Sequence, residues 1–193
     1  MTVLLLDVMD TVVVDPYPEV VAGFFGLAVD TLERLQDPGA WTAFERGELG
    51  EAELGQRYFR DGRPCDVPRL RRALASAYRF VPGMEELLAE LRGQGLALHA
   101  FSNYPVWYRE VEARLRLSRY LRWSLVSCET GLRKPDPRAY RDALARLGVG
   151  PGQALLVDDR AANCAAAREE GLLAIRFRGA PALREELAAR GIL

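Results

Sequence analysis

The sequence predicts an α/β fold: a five-stranded parallel sheet covered by helices on both faces, carrying a helical insert near its start. Three observations predict it. Five short apolar runs recur along the chain, amphipathic helical segments separate most of them, and residues 16–80 have helical texture without a convincing strand. Strands that alternate with helices pair in parallel through right-handed crossovers. Apolar runs of this kind suit strands buried on both faces.

The first run, residues 2–6, has no basic segment before it and meets Asp7 at once. It reads as a buried strand and not as a secretory leader. Residues 15–80 are punctuated at Asp37-Pro38-Gly39, at Gly47 and Gly50, and around Asp61-Gly62-Arg63-Pro64. These breakers predict about four short helices. Pro82-Gly83 returns the chain to the sheet layer. Met84, Leu87, Leu88 and Leu91 then share one helical face ahead of a strand at 97–101. Val106, Val111, Leu115 and Leu117 repeat the pattern approximately before a strand at 124–126. Tyr140, Leu144 and Leu147, with Gly148 as a stop, precede a strand at 154–157, and residues 173–175 supply the fifth. The expected division is a core of residues 1–15 and 81–193 with an insert at 16–80.

With 193 residues and 49% hydrophobic content, the chain suffices for one domain and its insert. A net charge of −1 gives no footprint for nucleic acid and no attraction to an anionic membrane. The apolar runs are far too short to span a bilayer. Cys65, Cys128 and Cys164 are odd in number and lack metal-ligand spacing, so they read as reduced side chains of a cytoplasmic protein. His99, the single histidine, lies within a strand. It reads as a buried, hydrogen-bonded structural residue, which excludes a two-histidine metal centre and argues against a Ser-His-Asp triad.

Four polar clusters fall at or just after predicted strand ends. They are Asp7-Val8-Met9-Asp10-Thr11, Ser102-Asn103, Lys134 with Pro135-Asp136-Pro137, and Asp158-Asp159. Open parallel sheets bind ligands outside the carboxyl ends of their strands. Lys134 is also the single lysine among 26 Lys and Arg residues. An ammonium is a compact point charge, unlike the planar guanidinium fork, and its survival here points to a small anionic site. Asp136 reads as a helix cap.

Taken in order, these clusters resemble the haloacid dehalogenase-like hydrolase superfamily, and the resemblance covers nearly the whole chain. It implies a three-layer Rossmann-like core in which the first and fourth motif strands are neighbours, with residues 16–80 forming a small helical cap. It further implies phosphoryl transfer from a small phosphorylated substrate. Asp7 would be the nucleophile, and Mg²⁺ would be held by Asp7, Asp158, Asp159 and the backbone carbonyl of Met9. The Ser102 hydroxyl, the Asn103 N–H and Lys134 would hold the phosphate, with Lys134 also neutralising charge in the transition state. Asn163 would support the acidic pair.

The pattern breaks at Met9. Phosphatases of this kind carry an Asp there, which protonates the leaving group and later activates water, and Met transfers no proton. Asp10 stands beside it, but adjacent strand-like residues are expected to point to opposite sides. An acid from the cap or substrate is the other source. The competing expectation is a weakly catalytic phospho-ligand binder or regulatory protein. A third, haloacid dehalogenation, leaves Asp158 and Asp159 without a use. On the cap, Tyr17, Phe24, Phe25, Trp41, Phe44, Glu45 and Arg46 are candidates for the inner face. Most of these aromatics are expected in the cap's own core, and Arg46 is the foremost candidate for a cation that reaches the phosphate or substrate.

Overall fold

The computed structural model describes residues 2–193. Five parallel strands, β1 (Val3–Leu6), β2 (Ala97–Ser102), β3 (Arg122–Val126), β4 (Ala154–Asp158) and β5 (Leu173–Arg176), form one sheet in the order β3-β2-β1-β4-β5. All five predicted runs are strands, to within two residues at each end. Their apolar composition follows from the layering. Leu4 and Leu6 of β1 face one apolar cluster while Val3 and Leu5 face another, and Leu155 and Val157 of β4 are separated in the same way from Ala154 and Leu156. Side chains alternate across a strand, so a sheet covered on both faces needs apolar residues at every position.

Helix α6 (Met84–Gly93) buries Met84, Leu87, Leu88 and Leu91, the face predicted for it. It joins α7 (Tyr108–Leu115) and α11 (Ala180–Ala189) in the first cluster. Helix α9 (Pro137–Leu147) and α10 (Ala161–Glu169) cover the other face, with Tyr140, Ala143, Cys164 and Ala167 buried there. Asp136 caps α9 by accepting from the Arg138 N–H at 2.9 Å, and Gly148 ends it with φ +64°, a conformation that favours glycine. A short α8 (Ser127–Thr130) follows β3. His99 is buried within β2 and bonds Ser124 Oγ through Nδ1 at 2.7 Å.

Residues between β1 and α6 form five helices, against about four expected: α1 (Tyr17–Phe25), α2 (Val29–Leu35), α3 (Pro38–Glu45), α4 (Glu51–Arg57) and α5 (Val67–Ala77). The two connections to this insert pair antiparallel. Val13 bridges Phe80, the Val14 N–H donates to Arg79 C=O at 3.0 Å, and the Val81 N–H donates to Val12 C=O at 3.0 Å. The insert's aromatics pack on one another, and the core they help to form is continuous with that of the sheet layer. Val21, Leu32, Phe44, Leu54, Leu70 and Leu74 belong to the same apolar cluster as Leu4 and Leu6. Trp107, just before α7, is the joint: its ring lies 5.1 Å from that of Phe44 and 5.8 Å from that of Trp41, and its Nε1 donates to Glu51. Among the described residues no helix is long and apolar enough to cross a membrane.

Candidate active site

Strand register brings the polar clusters to one rim. Leu6 sits opposite Val157, so the next residues, Asp7 and Asp158, leave the sheet side by side. The Asp7 N–H still donates to Val157 C=O at 2.9 Å. The loop after α8 then delivers Lys134. Its Nζ lies 3.0 Å from Asp7 Oδ1 and 2.5 Å from Asp158 Oδ2, and the side chain is almost wholly buried. Asn103 brackets the lysine backbone, with Nδ2 donating to its carbonyl at 2.7 Å and Oδ1 accepting its N–H at 2.8 Å. This side-chain brace went unpredicted; only the Asn103 backbone N–H entered the sequence reading.

Asp158 and Asp159 differ in environment. Asp158 is fully buried. Its Oδ1 accepts from the Arg160 N–H at 2.9 Å and from Asn163 Nδ2 at 2.9 Å, while Oδ2 accepts from Lys134 Nζ and from Asn163 Nδ2 at 3.0 Å. A carboxylate offers about four acceptor positions, and these contacts engage both of its oxygens fully. Asp158 therefore orients the ammonium, and Asn163 supports Asp158 as the sequence suggested. Asp159 is half-buried and faces the cavity.

One oxygen from each of Asp7, Asp158 and Asp159 lies within 4.8 Å of the others. Three carboxylates against one ammonium leave two negative charges uncompensated. Such a hard oxygen set fits a divalent ion of the Mg²⁺ kind. Burial pushes the Asp7 carboxyl up to about 7, against the pull of the Lys134 ammonium, and Asp158 adds to the rise. Burial raises Asp159 as well, again with Asp158 behind it. Carboxylates crowded in this way ionise together only beside a compensating cation. Burial by itself would lower the Lys134 ammonium, but Asp7 and Asp158 outweigh it and hold the lysine charged.

A cavity of about 330 Å³ opens above this cluster. Asp7, Met9, Asp10, Asn103, Lys134 and Asp159 line its sheet side, while Tyr17, Trp41 and Glu45 line it from the insert. Asp10 faces the cavity too, contrary to the expectation from strand alternation. The chain has left β1 by then, and Asp10 adopts φ +56° in a tight turn closed by the Val12 and Val13 N–H groups on Val8 C=O. Ser102 does not line the cavity; it is buried at the end of β2, and its hydroxyl has no partner, nor has that of Thr11. An unpartnered buried hydroxyl is costly, by about 1–3 kcal/mol.

Arg46 is corrected as a substrate-reaching cation. It lies outside the cavity, 3.9 Å from Glu48. Arg133 and Arg160 line the cavity instead. Their only signal in the sequence was adjacency to Lys134 and Asp159. Arg133 Nη2 lies 2.7 Å from Glu45 Oε2, and Trp41 Nε1 donates to Glu45 Oε1 at 3.0 Å. Phe24 and Phe25 pack within the insert, Phe25 also against Tyr58 and Phe59, while Phe44 packs on Trp107. Tyr17 and Trp41 form an aromatic wall with ring centroids 4.4 Å apart.

A family model described as haloacid dehalogenase-like hydrolase matches residues 1–171. The chain is 41% identical over 190 residues to flavin mononucleotide hydrolase 1 of Arabidopsis thaliana, described as chloroplastic, covering 98% of this chain and 78% of that relative. Two solved structures share the fold. One is a predicted haloacid dehalogenase-like hydrolase from Porphyromonas gingivalis, at 21% identity and TM-score 0.75, covering 97% of this chain and 98% of the other. The second is a haloacid dehalogenase family enzyme of Bacteroides thetaiotaomicron in complex with magnesium and inorganic phosphate, at 19% identity and TM-score 0.74, covering 93% and 95%.

Proposed function

The chain belongs to the haloacid dehalogenase-like hydrolases, and from that premise we propose that it is a Mg²⁺-dependent phosphatase of a small phosphorylated metabolite, acting through an aspartyl-phosphate on Asp7. The carrying observation is the charged line Asp7–Lys134–Asp158 at the floor of an acid-lined cavity. Asp7 Oδ attacks phosphorus, and the bond from phosphorus to the leaving oxygen breaks. Lys134, kept protonated by its two carboxylates, faces the charge that spreads over the phosphoryl oxygens. We assign the Asn103 N–H as a donor to the same oxygens, and the Ser102 hydroxyl, buried without a partner and outside the cavity lining, as a second donor that the bound phosphate would have to reach. Asp7, Asp159 and the Met9 carbonyl are the donors we assign to Mg²⁺, with Asp158 holding the lysine beside them. Bound there, the ion would offset the repulsion between Asp7 and a phosphate dianion.

Residues 16–80 act as the cap that shields this step from water. Flavin mononucleotide is the first substrate to test. The Arabidopsis relative carries it in its name, and the wall of Tyr17 and Trp41 suits a planar ring. A phospho-ligand binder with little turnover is the competing reading, because Met9 lines the cavity where a proton donor belongs.

The test is phosphate release from flavin mononucleotide and from a panel of small phosphate esters, with and without Mg²⁺. Turnover that needs Mg²⁺ and vanishes in Asp7→Asn supports the phosphatase. Full activity in that variant, or in chelator, removes the assignment. An inert wild type that gains activity on Met9→Asp favours the binder.

A further inference from the structure

We propose that Asp15 is the proton-transfer residue of this site, supplying from the connection into the insert what Met9 cannot supply from the rim. The inference rests on the phosphatase reading. Outside the Asp7, Asp158 and Asp159 cluster, three acids line the cavity: Asp10, Asp15 and Glu45. Glu45 is engaged on both oxygens, by Trp41 Nε1 and by the Arg133 guanidinium. Burial raises its carboxyl against the pull of Arg133 and Trp41, but neither oxygen is free to reach a leaving group. Asp10 is exposed, and its Oδ1 accepts the Asp15 N–H at 3.0 Å.

Asp15 differs from both. Its Oδ1 accepts the Tyr17 N–H at 2.9 Å, which orients the carboxyl group. No side-chain cation pairs with it among the described residues. The antiparallel pairing of Val14 with Arg79 anchors the chain immediately before it. Burial pushes its carboxyl up to about 6, with the Tyr17 N–H and Arg160 pulling down and Asp10 and Asp159 pushing up. It therefore exchanges a proton near neutral pH, where a general acid and base is most effective.

The balance is simple. As Asp7 attacks and the ester bond to phosphorus breaks, the protonated Asp15 gives its proton to the leaving oxygen. The alcohol departs, leaving phospho-Asp7 and the Asp15 carboxylate. Water then attacks phosphorus, Asp15 takes one of its protons, and the bond from phosphorus to Asp7 breaks. Hydrogen phosphate leaves, with Asp7 ionised and Asp15 protonated again.

Leaving-group dependence tests this. The Asp15→Asn variant is compared with wild type on an alkyl phosphate, which needs a proton on its leaving oxygen, and on acetyl phosphate, which needs almost none. We expect the single-turnover rate of alcohol release from the alkyl ester to fall roughly 10²-fold and that of acetate release from acetyl phosphate to change by less than about threefold, while breakdown of the common phospho-Asp7 slows equally for both. The double variant Met9→Asp/Asp15→Asn, with an acid restored on the rim, recovers at least about tenfold on the alkyl ester. Acetyl phosphate turnover shows that the variant is folded and that Asp7 still reacts. Equal losses in the single-turnover release step on both substrates, or no loss there on the alkyl ester, overturn the proposal while leaving the phosphatase intact. A wild type inert toward both substrates removes the phosphatase reading, and Asp15's role with it.

Discussion

Lys134 holds two buried carboxylates with one charge, which makes it structural as well as chemical. Removing one member of a buried ion network leaves the others charged and unpaired, at a cost of about 3–5 kcal/mol. Lys134→Met is therefore expected to lose stability on that scale and to abolish phosphatase activity. Lys134→Arg does not rescue it, because a guanidinium fork does not fit a side-chain site that is 1% exposed. Denaturant midpoints and phosphate release check both variants. Asp15 gives the opposite sign. Its folded carboxyl is raised from 3.8 to about 6, so the folded state binds the proton more tightly than the unfolded chain does. Its protonated form favours the fold below pH 4, and that advantage is lost as pH rises through the window up to about 6. Relative to wild type, Asp15→Asn gains stability over that window, by at most about 3 kcal/mol. A difference between the two proteins that stays flat from pH 4 to 7 contradicts the burial of this carboxyl.

At the scale of elements, the insert is seated by a few contacts that tolerate little change. Gly47, just after α3, has φ +71°, and a Cβ there would stand 2.5 Å from the Cys128 carbonyl oxygen of α8. Beside it the Ser127 hydroxyl donates to Glu45 C=O at 2.5 Å. Gly47→Ala combines left-handed strain with a backbone clash, and is expected to cost about 2 kcal/mol or more. Loss of the α3–α8 seat would also raise KM for the substrate, and chemical unfolding with steady-state kinetics measures both. The strands were legible because burial on two faces writes continuous apolar runs. The insert was less so. Its predicted breaks at Asp37-Pro38-Gly39, Gly47 to Gly50 and Asp61 to Pro64 are real ends, but the break between α1 and α2 was missed. Gly26 makes it, at φ +65°, inside an apolar stretch where Gly23 is simply helical. A lone glycine carries the same letter in both roles.

For the whole molecule, the rim was readable and the roof was not. Asp7, Asp158 and Asp159 follow strands directly, so register alone brings them together, and Lys134 follows β3 after a short helix and loop. Arg46 was misplaced because the face that α3 presents depends on its docking against Trp107, which no local pattern encodes. Arg133 meets Glu45 through that same docking, whereas Arg160 stands beside Asp159 at the start of α10. The rim's excess of negative charge couples the site to global stability. Without a cation, folding holds Asp7, Asp158 and Asp159 within 4.8 Å of one another with a single ammonium between them. An ion that binds only the folded chain must relieve that repulsion. At a hundredfold excess over its dissociation constant it contributes about 2.7 kcal/mol. For a chain of this length that corresponds to a melting-temperature rise of about 5–10 °C. Asp159→Asn, which removes a cavity-facing donor and leaves the Lys134–Asp158 contact intact, is expected to start more stable than wild type in the absence of metal and to lose most of the Mg²⁺ shift. Asp158→Asn should instead lower the melting temperature with and without the ion, because it unseats Lys134. If both variants keep the full shift, the ion binds elsewhere and the rim's charge is balanced by other means.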